Sequence, residues 1–492
     1  MVDGVPAPAA EREIQKGRTH MSKYNSVSPE IAKQLEAVVG EQRFYMGERI
    51  REDYCHDEMP LYGKHRPECV CEVESTEEVA AILKICNENH IPVTPRGAGT
   101  SLTGASVPLH GGVIVCTERM NKILGYDLNN LAVRVQPGVL LQDLAADAEA
   151  HGLMYPPDPG SKTSSVGGNV ATNAGGMRAV KYGVTRDYVL ALTVVLATGE
   201  VMQLGKTVCK TSTGYSLLHL MVGSEGTLGI ITEMTLKLIP KPSMDVSLIL
   251  PFADMASCIA TVPKIKMANL DPQSIEFMGA DIVKSSAEFS GKQIFPTEVN
   301  GQEVGASILV TFVGESEDEL DGKMEKLAEL AEECGAIDTL VVDTPTLKKE
   351  VWEARSSFLT AIEADTKYMD ELDVVVPVDK IADYLFFVRS VGDEVGLSVR
   401  NFGHAGDGNL HIYACSNDLD FDEFWRRNEI LMAKCYTECK NIGGQVSGEH
   451  GIGHAKKQYL EESVGEVPFR LMQAIKGVFD PNGILNPGKV CS

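Results

Sequence analysis

Between Pro95 and Gly229 the chain carries three separated loops with almost no side chain large enough to build a core. The first, Pro95-Arg96-Gly97-Ala98-Gly99-Thr100-Ser101, follows the apolar Ile91-Pro92-Val93. Its two glycines let consecutive backbone N–H groups point at one anion, with Arg96 and hydroxyls beside them, which suits a pyrophosphate. The second runs from Pro156-Pro157-Asp158-Pro159-Gly160-Ser161 through Ser165-Val166-Gly167-Gly168-Asn169 to Asn173-Ala174-Gly175-Gly176, and the third, Gly223-Ser224-Glu225-Gly226-Thr227-Leu228-Gly229-Ile230-Ile231, leads straight into a strand. Any one of them alone reads as a tight turn. Three such loops from one stretch predict a backbone-lined surface that approaches a ligand closely. No Gly-Lys-Ser/Thr follows the first loop, and no GxGxxG opens a helix ahead of an acidic residue, so neither a Walker loop nor a Rossmann fingerprint is present.

Charge narrows the partners. A net charge of -24 over 492 residues lacks the basic footprint that nucleic acid or an anionic membrane surface requires. The most apolar run, Tyr188 to Thr198, is strand-length and is stopped by Gly199-Glu200, far short of the roughly 18 apolar residues of a spanning helix. Residues from Met1 to about Ser22 have no signal-peptide core and read as a tail, native or left by expression. The 12 cysteines are scattered without a CxxC, so neither a zinc cage nor an iron–sulfur cluster is expected, and a reducing cytoplasmic location fits. Cys435 and Cys439 share a helix face and read as buried thiols.

Periodicity places the loops. A helix is expected from Ser28 to about Gly47, with Ser28 as cap and Pro29 at the first helical position. Short β-branched runs at 112–116, 132–136, 190–197 and 229–238 alternate with helical ones at 76–89 and 140–151. After the stiff Ile239-Pro240-Lys241-Pro242, strands at 246–250, 274–278 and 306–313 precede a charged helix at 315–334. The expected division is an N-terminal extension at 1–50 serving as a partner-docking arm, a ligand-binding domain at 51–240, a cap domain at 241–470, and a C-terminal segment at 471–492 that returns to the ligand-binding domain.

The order RGxGTS, PPDPGS with GGNxAxNAGG, YGxTRDYV from Tyr182 to Val189, and GSEGTLGIIT resembles the FAD-binding domain of the vanillyl-alcohol oxidase superfamily. The similarity runs from about residue 50 to the C-terminus and is greatest to the flavin-dependent D-2-hydroxyacid dehydrogenases, the group of D-lactate dehydrogenase and the glycolate oxidase catalytic subunit. It implies an α+β fold: a two-domain FAD-binding architecture with an α/β substrate cap containing an antiparallel sheet. It assigns Arg96, Gly97, Gly99, Thr100 and Ser101 to the pyrophosphate, and Pro157, Ser161, Ser165, Gly168, Asn169 and Asp187 to the cofactor lining. Glu225, Gly229, Ile230 and Ile231 are assigned to the ribityl and adenine side. Thr100 stands where covalently tethered relatives carry His, so noncovalent FAD is expected.

In the second half, Asn401-Phe402-Gly403-His404-Ala405-Gly406-Asp407-Gly408-Asn409-Leu410-His411 and Ser447-Gly448-Glu449-His450-Gly451-Ile452-Gly453-His454 set imidazoles and carboxylates between glycines. Two imidazoles and a carboxylate that leave coordination positions open make a catalytic site for Zn²⁺, Mn²⁺ or Fe²⁺. The resemblance to HxGDGNxH and GEHGxG implies His404, His411 and Glu449 as ligands and His450 as the acid–base residue; His454 is a guess at a further supporting group. Arg355, in Trp352-Glu353-Ala354-Arg355, resembles the family's arginine for the substrate carboxylate. Relatives acting on 2-hydroxyglutarate have a lysine just before the DVxxP strand, where this chain has Asp370 and Glu371. That favours a small monocarboxylate, with Lys367 near enough in sequence to keep a dicarboxylate open.

The expected activity is oxidation of a small D-2-hydroxy acid, D-lactate before glycolate, with hydride transfer to flavin N5. With no nicotinamide fingerprint or cluster cysteines, electrons are expected to leave to an outside acceptor, such as an electron-transferring flavoprotein or an iron–sulfur subunit. Two alternatives stand beside it: a D-2-hydroxyglutarate dehydrogenase, and a non-redox synthase on the same scaffold.

Overall fold

A computed structural model describes residues 23–492, and the tail expected from Met1 to about Ser22 lies outside them. The chain forms two compact units. The first comprises residues up to Ala174, Val184–Lys241 and Glu449–Ser492, and the second Gly175–Gly183 and Pro242–Gly448.

Among the described residues the first unit holds a four-stranded sheet in the order Phe44–Met46, Cys69–Glu72, Val113–Cys116, Val93–Arg96. The last three are parallel, and Cys69–Glu72 and Val113–Cys116 are buried along their whole length, as strands covered on both faces must be. The helix Thr76–Glu88 connects two of them; Ser75 caps it by accepting the Glu78 N–H, and Val79, Ile82, Leu83 and Cys86 form its buried stripe. A second, antiparallel sheet runs Ile123–Asp127, Ala132–Val135, Ile230–Lys237, Val189–Val195, Val201–Gly205.

The N-terminal helix Pro29–Val39 has the expected Ser28 cap and first-turn proline, but it is not a free arm. Leu35 and Val39 are buried in one cluster with Val79, Ile82 and Val115, and Phe44–Met46 extends the parallel sheet. The described part of the expected docking segment 1–50 is therefore core of the first unit, because its apolar stripe has a sheet-covering helix to pack on.

The boundaries differ from expectation in two further places. Gly175–Gly183 leaves the glycine-rich stretch for the second unit, where Val180 packs so near Gly406 that a Cβ there would lie 2.8 Å from its Cγ2. The C-terminal return begins at Glu449 rather than 471. It is fastened by a parallel bridge between Val93 and Leu485 and by two buried lysines. Lys476 reaches Asp480 at 2.5 Å and the carbonyls of Thr227 and Leu485, and Lys489 donates to the Val107 carbonyl at 2.6 Å. Ile239–Pro240 pairs with Leu153–Met154, and the longer segment of the second unit starts two residues later, at Pro242.

The second unit is built on a seven-stranded antiparallel sheet, among the described residues, in the order Leu340–Val342, Met244–Phe252, Ala306–Gly314, Ser274–Gly279, Ser398–His404, Asn409–Ser416, Tyr368–Val375. One face packs Met278, Phe402 and Tyr413 against Val351 and Ala354 of helix Pro345–Ser356 and Phe358 and Ile362 of helix Phe358–Asp365.

Leu35→Ala should leave a cavity costing about 2–5 kcal/mol and lower the first unit's thermal midpoint followed by circular dichroism. An unchanged melt would detach the N-terminal helix from that core.

Candidate active site

In the first unit the glycine loops meet at contacts that exclude side chains. A Cβ on Gly97 would lie 2.2 Å from Ser165 Oγ, and one on Gly99, whose φ is +75°, would lie 2.1 Å from Arg96 Nη2. Arg96 itself is buried and donates from Nη1 to the His56 carbonyl at 2.8 Å and to Ser106 Oγ at 3.3 Å. Ser101 Oγ accepts the Thr103 and Ala105 N–H groups, tightening the turn that Thr100 enters. Ser165 caps the short helix Val166–Thr172 by accepting the Gly168 N–H at 3.2 Å, while Pro157 and Ser161 stand on the loop leading to it. One turn further, Asn169 is buried, and its Nδ2 has no hydrogen-bond partner among the described residues. A buried donor left unmatched beside close-packed glycine backbone fits a polar cofactor.

Other predicted cofactor residues have framework duties. Asp187 is exposed and accepts the Val184 N–H at 2.8 Å as a local cap. Glu225, buried with a left-handed φ of 50°, takes the N–H groups of Ile452 and Gly453 at 2.8 and 2.7 Å. Burial raises its carboxyl above the ordinary value, and these two bonds only partly offset that. Ile230 and Ile231 pair with Val195 and Val194 in the sheet, and a Cβ on Gly229 would strike Val194 Cγ1 at 2.5 Å. His454 donates its backbone N–H to Thr103 of the first unit.

The second unit gathers the histidines on one sheet face. His404 ends the strand Ser398–His404, and His411 sits in Asn409–Ser416 opposite Phe402, so the period-two alternation points both rings the same way. Their Nε2 atoms lie 3.4 Å apart. Behind His404, Nδ1 is 2.9 Å from both carboxylate oxygens of Glu276, a fully buried residue of the strand Ser274–Gly279. Glu276 Oε2 also accepts from Arg355 Nη2 at 2.6 Å. Burial pushes the Glu276 carboxyl up, but the charges of His404 and Arg355 and their hydrogen bonds outweigh it and hold the group below its ordinary value. The Arg355 guanidinium lies over the rings of Phe402 at 4.8 Å and Phe358 at 5.4 Å, and its Nε is buried without a hydrogen-bond partner among the described residues.

Behind His411, Nδ1 is 3.4 Å from Glu371 Oε1, which accepts the Tyr413 hydroxyl at 2.6 Å. Burial, then Glu371, lifts the Tyr413 phenol far above its ordinary value, so it stays a donor. Asp373, opposite His411, accepts from Asn409 Nδ2 at 2.8 Å, Ser447 Oγ at 2.9 Å and the Gly448 N–H at 3.2 Å. This pins the chain against the histidine strand up to the residue before Glu449. Glu449 and His450 open the stretch assigned to the first unit, with His450 Nε2 3.7 Å from Glu449 Oε1. Sequence reasoning missed Glu276 and Asp373. The available signal for Glu276 was a single carboxylate inside the strand Ser274–Gly279, whereas Asp373 was one of three carboxylates in Tyr368–Val375.

The chain matches the family described as FAD linked oxidases, C-terminal domain, over residues 241–490 and the FAD binding domain over residues 67–205. It belongs to the FAD-linked oxidases. This FAD-linked oxidase is 57% identical over 468 residues to a D-lactate dehydrogenase of Anaerostipes hadrus, covering 95% of this chain and 98% of that one. It is 36% identical to the glycolate oxidase subunit GlcD of Bacillus subtilis, covering 94% and 97%, and 32% identical to a D-2-hydroxyglutarate dehydrogenase of Stutzerimonas stutzeri, covering 88% and 94%. Among solved structures, p-cresol methylhydroxylase with substrate bound superposes with a TM-score of 0.77 at 19% identity over 94% of this chain and 96% of that one. An alkyldihydroxyacetonephosphate synthase gives 0.73 at 18% over 99% and 88%. These likenesses establish the two-domain α+β FAD-binding fold expected from the motifs.

Asn169→Ala deletes the unmatched donor and should weaken FAD retention by about tenfold, the worth of one buried hydrogen bond. Flavin absorbance per protein after dialysis measures it; full retention would remove Asn169 from the cofactor's contacts.

Proposed function

We propose that this oxidase converts a small D-2-hydroxy acid, D-lactate in preference to glycolate, into the 2-oxo acid, with a divalent cation at the histidines and an external protein as electron acceptor. The observation that carries it is the convergence of His404 and His411 beside an arginine held by the same carboxylate as His404. Two imidazole nitrogens at about 2.1 Å from one tetrahedral ion are about 3.4 Å apart, and the Nε2 atoms here are separated by 3.4 Å. The donor set fits Zn²⁺, Mn²⁺ or Fe²⁺, with Glu449 as third ligand by its place after the pinned Gly448.

Each chain residue then has a task. Arg355, with a buried Nε donor unmatched, is suited to hold the substrate carboxylate. The cation would favour loss of the hydroxyl proton, and His450 would receive it. When bound, FAD supplies the two-electron acceptor for the oxidation, taking a hydride equivalent at N5. Arg96, Gly97, Gly99, Thr100, Ser101, Ser165, Gly168 and Asn169 would hold it noncovalently, with Pro157 and Ser161 lining its approach.

Local charge supports a monocarboxylate. Glu371 faces His411 and Tyr413 and adds negative charge where a second carboxylate needs positive, while Asp370 turns to the other sheet face and is tied to Asn428 at 2.6 Å. Lys367 is exposed, bonds the Leu419 carbonyl and lies six residues from Asp373 along the strand, a span of about 20 Å. No helix among the described residues is long and apolar enough to cross a membrane. No described cysteine joins a group with metal-binding geometry, and Cys435 and Cys439 are buried. A cytoplasmic location and an electron-transferring flavoprotein or iron–sulfur subunit as acceptor fit both facts.

The deciding experiment is the anaerobic flavin spectrum before and after D-lactate, with L-lactate, glycolate and D-2-hydroxyglutarate in parallel. Bleaching by D-lactate first and glycolate next supports the proposal; a flavin that none of the acids bleaches overturns it, and bleaching by hydroxyglutarate alone overturns the substrate assignment. His450→Ala should stay yellow and lose at least about 100-fold in the rate of bleaching. His404→Ala should lose bound metal by elemental analysis, and unchanged metal content would remove it from the ligand set.

A further inference from the structure

The central strand of the second unit's sheet buries a carboxylate among apolar neighbours. Glu276 is 0% exposed, and Ile275, Phe277 and Met278 around it are buried as well. Such a charge costs several kcal/mol unless it is paired and hydrogen-bonded. Its partners come from distant parts of the chain, Arg355 lying 79 residues away and His404 lying 128. These are the residues that the proposed chemistry uses for the substrate carboxylate and for the cation.

The geometry gives the carboxylate two separate consequences. A carboxylate accepts only, so when the ring is neutral the contact to Glu276 favours the proton on His404 Nδ1 and turns the Nε2 lone pair toward His411. Without a carboxylate there, the ring is free to put its proton on Nε2, the form that cannot bind a cation. On its other side, Glu276 holds Arg355 through Nη2 and leaves Nε as a buried donor without a partner among the described residues, so the guanidinium is fixed in place with Nε still available. A purely structural salt bridge would account for the Arg355 contact. It would not require both oxygens to lie 2.9 Å from an imidazole nitrogen.

We propose that Glu276 is a positioning residue with two outputs: it sets His404 to the tautomer that offers Nε2 to the cation, and it aims Arg355 at the substrate carboxylate. This rests on the metal-assisted reading above. Cation affinity and substrate-carboxylate affinity are then linked through one side chain that touches neither ligand.

The test uses the full-length, FAD-loaded enzyme stripped of metal, comparing the parent with Glu276→Gln, Glu276→Asp and His404→Ala. Zn²⁺ and Mn²⁺ affinities are measured against a competing chelator, histidine tautomers by ¹⁵N–¹H correlation on ¹⁵N-histidine protein, and the D-lactate concentration giving half-maximal flavin bleaching in metal-saturated samples. Glu276→Gln should bind either cation about 10–100-fold more weakly, lose the exclusive Nδ1–H signature of His404, and need more D-lactate, with flavin content unchanged. Glu276→Asp keeps the charge but draws it back from the ring, and it serves in the same way if the glutamine variant does not fold. Cation affinity within about twofold of the parent, far inside the 10–100-fold loss expected of such a partner, together with an unaltered tautomer overturns the proposal while leaving the metal reading standing. A parent that binds neither cation more tightly than His404→Ala overturns both.

Discussion

A slip of one residue between Ser398–His404 and Asn409–Ser416 would turn the facing set of one strand to the other side of the sheet and separate the histidines. Three local devices hold this register. Gly403 has no Cβ because one would lie 2.4 Å from the Asn409 carbonyl oxygen, and Gly408, with a φ of 88°, has its Cβ position 2.0 Å from the Val376 carbonyl oxygen. Asn409 then clips itself to the neighbouring strand through Asp373 and the Val374 carbonyl. The glycines and asparagine between the histidines are thus constraints on strand pairing, and the 3.4 Å approach of the rings follows from them.

On the same face Glu276, Arg355, Glu371 and Asp373 are buried beside the two histidines. Such a concentration of ionisable groups in a sheet core would be unstable if its members were isolated. Here each carboxylate has a donor: His404 and Arg355 for Glu276, Tyr413 for Glu371, and Asn409, Ser447 and Gly448 for Asp373. Glu276 occupies the Nδ1 side of His404 and Glu371 lies on the Nδ1 side of His411, and the two Nε2 atoms are turned toward one another. In the first unit the same economy of bulk is reached by glycine: side chains are absent where Ser165 and Arg96 close on the 97–99 turn.

Much of this was legible in the sequence because glycine and histidine spacing report local geometry. The loops around Gly97, Gly168 and Gly226, the Ser28 cap and the His404–His411 pair all follow from short-range constraints. What was hidden depends on partners far along the chain. Nothing near residue 276 indicates that its carboxylate meets Arg355 and His404. The stripe on Pro29–Val39 shows only that the helix packs somewhere, and the parallel strands of its partner sheet begin thirty residues later, at Cys69. Glu225 was assigned to the cofactor by resemblance, and the backbone N–H groups of Ile452 and Gly453 that its oxygens accept come from more than 200 residues further along the chain.

That dependence has a consequence for the order in which the molecule is made. The bridge at Val93, the clasp on Glu225 and the lysine under Val107 all wait for residues beyond Glu449, with the second unit's segment Pro242–Gly448 intervening. At translation speeds of 5–20 residues per second, the first unit's loops leave the ribosome roughly 10–40 s before the backbone that completes them. During that interval Pro242–Gly448, with Gly175–Gly183 already made, is complete, while the first unit still lacks Glu449–Ser492. The first unit's packing is thus finished by the last residues to be made, Glu449–Ser492.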